Sequence, residues 1–318
     1  MSAASMTVGV DIGGSTYRVG LVEGSGRLIA KVTGATSNLE DAGAFLRVLE
    51  EDICRLTADD RRSGVHRLTI GIALPGTLNE DRSRVVRCVN LPFFEGAAIV
   101  EELVARLDAS VLLMTDAEAA TWGEFAVLDP SPARFAHLRL GTGVACGVVR
   151  DGRVVRLDLK RATHLPALVV DAGEGAAACP CGLRGCLETI AAGPAIVRRA
   201  MERGIAADLS TLERKCHNGD TSALALLDEI ASAVGCAVMN LGHAYGVTQV
   251  SLGGGVLALF PYLRRRVTGA GAGTKGLLSD IDVALFAARL GDDAGLLGAA
   301  RLARKPGALD GPPTSPTT

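Results

Sequence analysis

Blocks of apolar residues, some continuous and some alternating with polar ones, punctuate the first third of the chain and define a meander that leads into α/β layers. Residues 6–14, MTVGVDIGG, form a β-branched strand ending in an acidic residue and a glycine turn, and the following YRVGLVEGSGRLIAKV alternates as a hairpin turning at Gly24-Ser25-Gly26. Apolar positions then take helical spacing from Ala42 to Leu56. A strand at Arg67–Ile72 runs into Leu-Pro-Gly, and a buried strand at Val111–Met114 precedes a helix at Ala117–Phe125. After the turn chemistry of Asp129-Pro-Ser-Pro-Ala133 the order begins again, with strands at Ala136–Leu140, Val144–Val149 and Arg153–Leu157. Long helical stretches follow, Thr221–Leu241 among them, then a strand at Gln249–Leu252 and a final helix from Asp293 to about Arg304. The pattern predicts an internally duplicated α/β chain.

Composition adds size and compartment to that picture. A chain of 318 residues suggests two domains. We expect a smaller one over 1–128 and a larger one over 129–305, with the last helix, 293–304, free to pack back on the first. The Pro/Gly/Thr-rich segment 306–318 reads as a mobile tail. Hydrophobic residues make up 48% and aromatics only 3%, which suits Ala/Val/Leu-packed layers. A net charge of −2 provides no basic footprint for a nucleic acid, and no apolar run approaches the roughly 18 residues of a membrane span, so a cytoplasmic protein acting on small molecules is expected.

Three glycine turns follow strands: Asp11-Ile-Gly13-Gly14-Ser15-Thr16, Leu140-Gly141-Thr142-Gly143 and Leu252-Gly-Gly254-Gly255. Turns without Cβ atoms let backbone N–H groups approach an anion, and Asp11 with two hydroxyls suits a triphosphate and its magnesium. Any one of them could be a plain hairpin turn; three in a duplicated chain are more specific. A dinucleotide-binding reading fails because DIGGSTYRVGLV continues as a second strand where a helix should begin. Of eight cysteines, five are scattered and read as buried apolar residues, while Cys179, Cys181 and Cys186 crowd into CPCGLRGC and point to a metal, the competing reading being buried thiols.

These elements together make the chain similar to the ROK family, within the sugar kinase, heat-shock protein and actin superfamily. The resemblance spans nearly the whole chain: DIGGST, Leu74-Pro75-Gly76, Asn90-Leu91-Pro92, TDAEAATWGE, LGTG, CPCGLRGCLE, LGGGV and LGDDAGLLGAA occur in the family's order. It implies two ribonuclease-H-like domains, mixed sheets flanked by helices around a cleft, and frequent homodimers. Only about six residues precede the first strand, where the family's repressors carry a DNA-binding helix-turn-helix, so the kinase branch is expected.

The resemblance also assigns roles. ATP and magnesium would be held by Asp11, Gly13, Gly14, Ser15, Thr16, Gly141, Thr142, Gly143, Gly254 and Gly255. The sugar would meet Gly76, Asn90, Thr115, Asp116, His164 and Glu188. Asp116, at a strand end where a helix starts, aligns with the family's catalytic base; by position alone it could equally be an N-cap. Three thiolates leave a tetrahedral structural zinc one ligand short, and His164 is the candidate. Three positions depart from the family: Thr115 and Glu118 stand where asparagines are usual, and Arg161 where a glutamate is usual. The expected activity is ATP-dependent phosphorylation of a hexose or amino-sugar hydroxyl; the alternative is a sensor of sugar or nucleotide with a degenerate site.

Overall fold

The computed structural model describes residues 6–36, 41–58, 67–156, 168–268 and 283–309. The chain divides into two compact units, one made of Met1–Ser131, Gly152–Asp158 and Asp292–Thr318, the other of Pro132–Asp151 and Leu159–Gly291.

In the first unit, β1 (Thr7–Ile12), β2 (Thr16–Val22), β3 (Leu28–Ala35), β4 (Leu68–Leu74) and β7 (Ala109–Thr115) form one sheet in the order β3-β2-β1-β4-β7. The first three are an antiparallel meander, and β1, β4 and β7 run parallel. Burial of β1 and β4 on both faces accounts for their continuous apolar runs, TVGVDI and LTIGIAL. One face is covered by α1 (Ala42–Leu56), whose Phe45, Leu46, Leu49 and Ile53 are buried. Asp41 starts that helix by accepting from the Gly43 and Ala44 N–H groups at 2.8 and 3.3 Å. Phe45 packs edge-on against Tyr17 and Phe94, with ring centroids 5.3 Å apart in both pairs.

On the other face lie α3 (Asp116–Phe125) and the chain's last helix, α9 (Ala294–Arg304), which packs against α3, β1 and β4. The two helices approach until a side chain at Gly298 would overlap the Ala119 carbonyl, which explains the small residues in GLLGAA. Residues 306–309, whose composition suggested the tail, form a 3-10 turn and a bridge from Leu309 to Val154. A short hairpin of β5 (Thr77–Leu78) and β6 (Val85–Arg87), and helix α2 (Ile99–Leu107), complete the first unit; the sequence pattern had not singled them out.

The second unit repeats the plan. Strands β8 (Arg134–Leu140) and β9 (Val144–Arg150) are antiparallel, while β8, β11 (Gln249–Gly253) and β12 (Ala284–Ala287) are parallel. Helix α7 (Thr221–Tyr245) is capped by Asp220, which accepts from Ala223 N–H at 3.0 Å, and ends at Gly246 in the left-handed region, φ +63°. By length and composition this helix could cross a membrane, yet 56% of its most apolar window is buried, as in the core helix of a soluble fold. Around it pack α4 (Glu188–Ala191), α5 (Gly193–Glu202), α6 (Leu209–His217) and α8 (Phe260–Thr268). Two mixed sheets of matching topology, each flanked by helices, are the duplicated α/β architecture that the sequence implied.

Candidate functional site

In the first unit the three parallel strands end at the same edge of the sheet, and each leads into an expected site segment. β1 delivers Asp11-Ile-Gly13-Gly14, β4 delivers Leu74-Pro75-Gly76, and β7 delivers Thr115-Asp116; the pairing of Asp11 with Ala73 and of Leu74 with Thr115 sets them side by side. Strand ends of this kind are where parallel sheets bind ligands, because the loops diverge and leave backbone groups exposed.

The DIGG turn is closed by Gly13 N–H donating to the Thr16 carbonyl at 2.8 Å, and Thr36 steadies it from the side, its hydroxyl donating to the Gly13 carbonyl at 3.1 Å. Gly14, Ser15 and Thr16 are exposed, and a Cβ at Gly14 would stand 3.3 Å from Cβ of Asn90, so Asn90 borders this turn. Gly76 has φ +125° and lies against the Arg87 carbonyl, a backbone position closed to other residues. Cys88 ties the Asn90 segment to Leu-Pro-Gly through its thiol, which donates to the Pro75 carbonyl at 2.9 Å; burial pushes that thiol up to about 11.

Asp11 is 8% exposed. Arg18 approaches its carboxylate at 3.5 Å, and Gly295, in the first turn of α9, lies so near that a Cβ there would be 2.8 Å from it. The guanidinium and the first turn of α9 thus bracket this carboxylate. Arg18 was not among the expected site residues, although the hairpin register pairs it with Asp11 and drawing that register would have found it.

Asp116 opens α3 and accepts from the Ala117 N–H at 2.9 Å. The N-cap is the preceding residue, Thr115, whose hydroxyl accepts from Glu118 N–H at 3.2 Å while Glu118 accepts from Thr115 N–H at 2.9 Å, a reciprocal capping box. Asp116 is therefore not the side-chain cap of its helix. Glu118 also binds Arg82 through both oxygens at 2.8 Å.

In the second unit, β8 ends in Gly141-Thr142-Gly143 and the neighbouring β11 ends in Gly253-Gly254-Gly255, so these two glycine turns share an edge. Gly254, at φ +91°, touches the Leu140 carbonyl. Glu188 joins the first turn to the cysteine loop: its carboxylate accepts from Val144 N–H at 2.8 Å, and Cys179 Sγ lies 3.9 Å from its other oxygen. Gly193 N–H donates to the Gly141 carbonyl at 2.7 Å, fixing the turn from the helical side.

The Sγ atoms of Cys179, Cys181 and Cys186 all lie within 4.8 Å of one another, Cys181 and Cys186 at 3.6 Å, and none of the three is in a disulfide. Tetrahedral zinc with ~2.3 Å bonds to sulfur separates its ligands by about 3.8 Å, a spacing that the Cys181–Cys186 pair at 3.6 Å is close to. Burial pushes the Cys179 thiol up to about 11 and raises Cys186 as well. A dication reverses that preference by coordinating the thiolates. His164 and Arg161 lie outside the described residues.

Comparison with known proteins follows the same lines. A family model described as ROK family matches residues 7–306. Glucokinase from Thermotoga maritima is 30% identical over 323 residues, covering 94% of this chain and 97% of the relative. N-acetylmannosamine kinase from Salmonella typhimurium is 28% identical, covering 94% and 98%. The crystal structure of the ROK hexokinase from Thermus thermophilus superimposes with a TM-score of 0.73 at 32% identity, over 93% of this chain and 96% of that one.

Proposed function

The chain belongs to the ROK family, and from that premise we propose that it transfers the terminal phosphoryl group of ATP to a hydroxyl of a hexose or amino sugar, with Asp116 as general base. The observation that carries this reading is the placing of Asp116 at the end of β7, on the same sheet edge as Asp11-Ile-Gly13-Gly14 and Leu74-Pro75-Gly76. Phosphoryl transfer asks little covalent chemistry of a protein; it needs an aligned hydroxyl, a proton acceptor and fixed positive or N–H groups around the phosphates. The Asp116 carboxylate takes the hydroxyl proton as the sugar oxygen attacks the terminal phosphorus, the bond to the bridging oxygen breaks, and ADP leaves. In the first unit, Asn90 and the backbone at Gly76 would border the sugar. In the first unit the exposed residues Gly14–Thr16 would offer backbone N–H groups to an anion, and in the second unit the turns at Thr142-Gly143 and Gly254-Gly255 would do the same. Asp11 supplies a carboxylate oxygen of the kind magnesium takes, and the bound ion would neutralise charge on the phosphates. Zinc at Cys179, Cys181 and Cys186 would be structural, holding the loop that precedes Glu188; His164 is proposed as its fourth ligand and as a sugar contact. A homodimer and a cytoplasmic location are the assembly and compartment expected of such an enzyme.

The relatives' names favour hexoses and N-acetylated amino sugars as the first panel. Purified protein with ATP and magnesium should release ADP with at least one of them, and Asp116→Asn should lower the rate by roughly 10²–10⁴ fold, the usual contribution of a general base. Saturable sugar binding with no ADP released above the Asp116→Asn control would replace the kinase by the sensor alternative.

A further inference from the structure

Thr115 and Glu118, which form the capping box of α3, are tied to a third residue that no motif picks out. Arg82 lies in the turn between β5 and β6, with φ +59°, a conformation costly for any residue but glycine. The turn is held from several sides. Asn79 N–H donates to the Arg84 carbonyl at 3.1 Å, Arg84 N–H to Oδ1 of Asn79 at 2.9 Å, and Arg156 donates to the Asn79 carbonyl at 2.9 Å and to that of Glu80. From this fixed turn the Arg82 guanidinium reaches Glu118 in a fork, Nη1 to Oε2 and Nη2 to Oε1, both at 2.8 Å.

Both side chains are buried, each residue being 9% exposed. Burial by itself raises the Glu118 carboxyl, but Arg82 and Thr115 more than offset it and hold the group below the usual carboxylate range. Glu118 is thus a buried carboxylate whose acceptors are engaged, with both oxygens on Arg82 and one also on Thr115 N–H at 2.9 Å. Asp116 lies between the two ends of that clamp. A capping box forms without an arginine, and buried ion pairs stabilise proteins little compared with apolar side chains of similar volume. The added charge pair supplies fixed geometry, and what it fixes is the turn that carries Asp116.

We infer that Arg82 and Glu118 act together as positioning residues, setting the Thr115–Asp116 backbone so that the Asp116 carboxylate meets the sugar hydroxyl, and that Glu118 is not itself a sugar ligand. The inference rests on the proposed kinase reading. It explains how a carboxylate at 118 is compatible with catalysis two residues away: its charge is paired by Arg82 and both its oxygens are engaged within the protein.

The test compares wild type, Glu118→Gln, Arg82→Lys and the double variant Arg82→Met/Glu118→Met, each checked for folding by thermal melting and assayed for ADP release. Glu118→Gln should lower kcat at least tenfold with the KM for sugar and ATP within twofold of wild type, and Arg82→Lys should fall between them. The double variant, which leaves no buried charge unpaired, should melt as a folded protein yet keep the low kcat; it is decisive if the single variants do not fold. In an Asp116→Asn background, Glu118→Gln should cost no further activity, because its effect passes through Asp116. A folded double variant with wild-type kcat overturns the inference, as does a rise in sugar KM at unchanged kcat, which would make Glu118 a ligand. Wild-type protein that releases no ADP with any sugar overturns the kinase reading itself and this inference with it, a result seen before any variant is measured.

Discussion

At the scale of single residues the site is a matter of which hydrogen-bonding groups are already engaged. The Thr115 hydroxyl receives the Glu118 N–H at 3.2 Å, so its oxygen is fixed by the helix start. Glu188 is anchored by Val144 N–H at 2.8 Å, so its carboxylate is oriented before any ligand arrives. The three clustered thiols carry a prediction of their own. Clustered thiols that must ionise in one another's company, two of them buried, are held far less firmly without a cation than with one. Protein purified without chelator should contain about one zinc per chain by elemental analysis, and Cys186→Ser should lose it together with most ADP release. Stoichiometric metal absent from the wild type would reject the zinc site. The cluster was legible in CPCGLRGC, and Asp116 in its place before a helix; Arg82 was not, because nothing near it in the sequence says which buried carboxylate it will meet 36 positions away.

At the scale of elements, the strands that run through the middle of a sheet matched their sequence pattern because burial on both faces leaves a continuous apolar signature. The helix over 42–56 formed with those bounds, since cap, stripe and stop agree. Helix α2 was missed although Ile99, Leu103 and Leu107 make a buried one-sided stripe, a short element whose spacing is easily lost between two strands. In the second sheet, His137 on β8 meets the Ser251 hydroxyl on β11 at 2.8 Å, and burial pulls its pKa down to about 3. A histidine whose folded pKa is depressed adds stability above its ordinary pKa near 6.5 and loses it as pH falls from there toward 3, because the unfolded chain takes up the proton first. Its share of the slope is at most about 1.4 kcal/mol per pH unit. Urea unfolding of His137→Leu should therefore depend less on pH between 6.5 and 4 than that of the wild type; parallel curves would exclude the residue as an acid-sensitive point of the sheet.

At the scale of the molecule, the first unit is closed by the end of the chain. Leu296, Leu297 and Leu302 of α9 are buried, and Gly298 lies directly on the Ala119 carbonyl of α3. A chain ending at Gly291 should lose the fold of this unit, and Trp122 on α3, 5% exposed and the only tryptophan, reports it: its emission should shift to the red. Unshifted emission and an unchanged unfolding transition would show that α9 is dispensable. The sequence alone determined the duplicated α/β plan, the glycine turns, the cysteine cluster and the strand-end aspartate, since each is written in neighbouring residues through apolar periodicity or short fixed spacing. Only the tertiary structure decided which partners those residues take: Arg18 beside Asp11, Glu188 on the glycine turn, and above all Arg82 on Glu118. The physical reason is that a charge or hydrogen bond between distant positions depends on where the packed sheets bring the backbone, and no local pattern of apolar residues encodes that meeting.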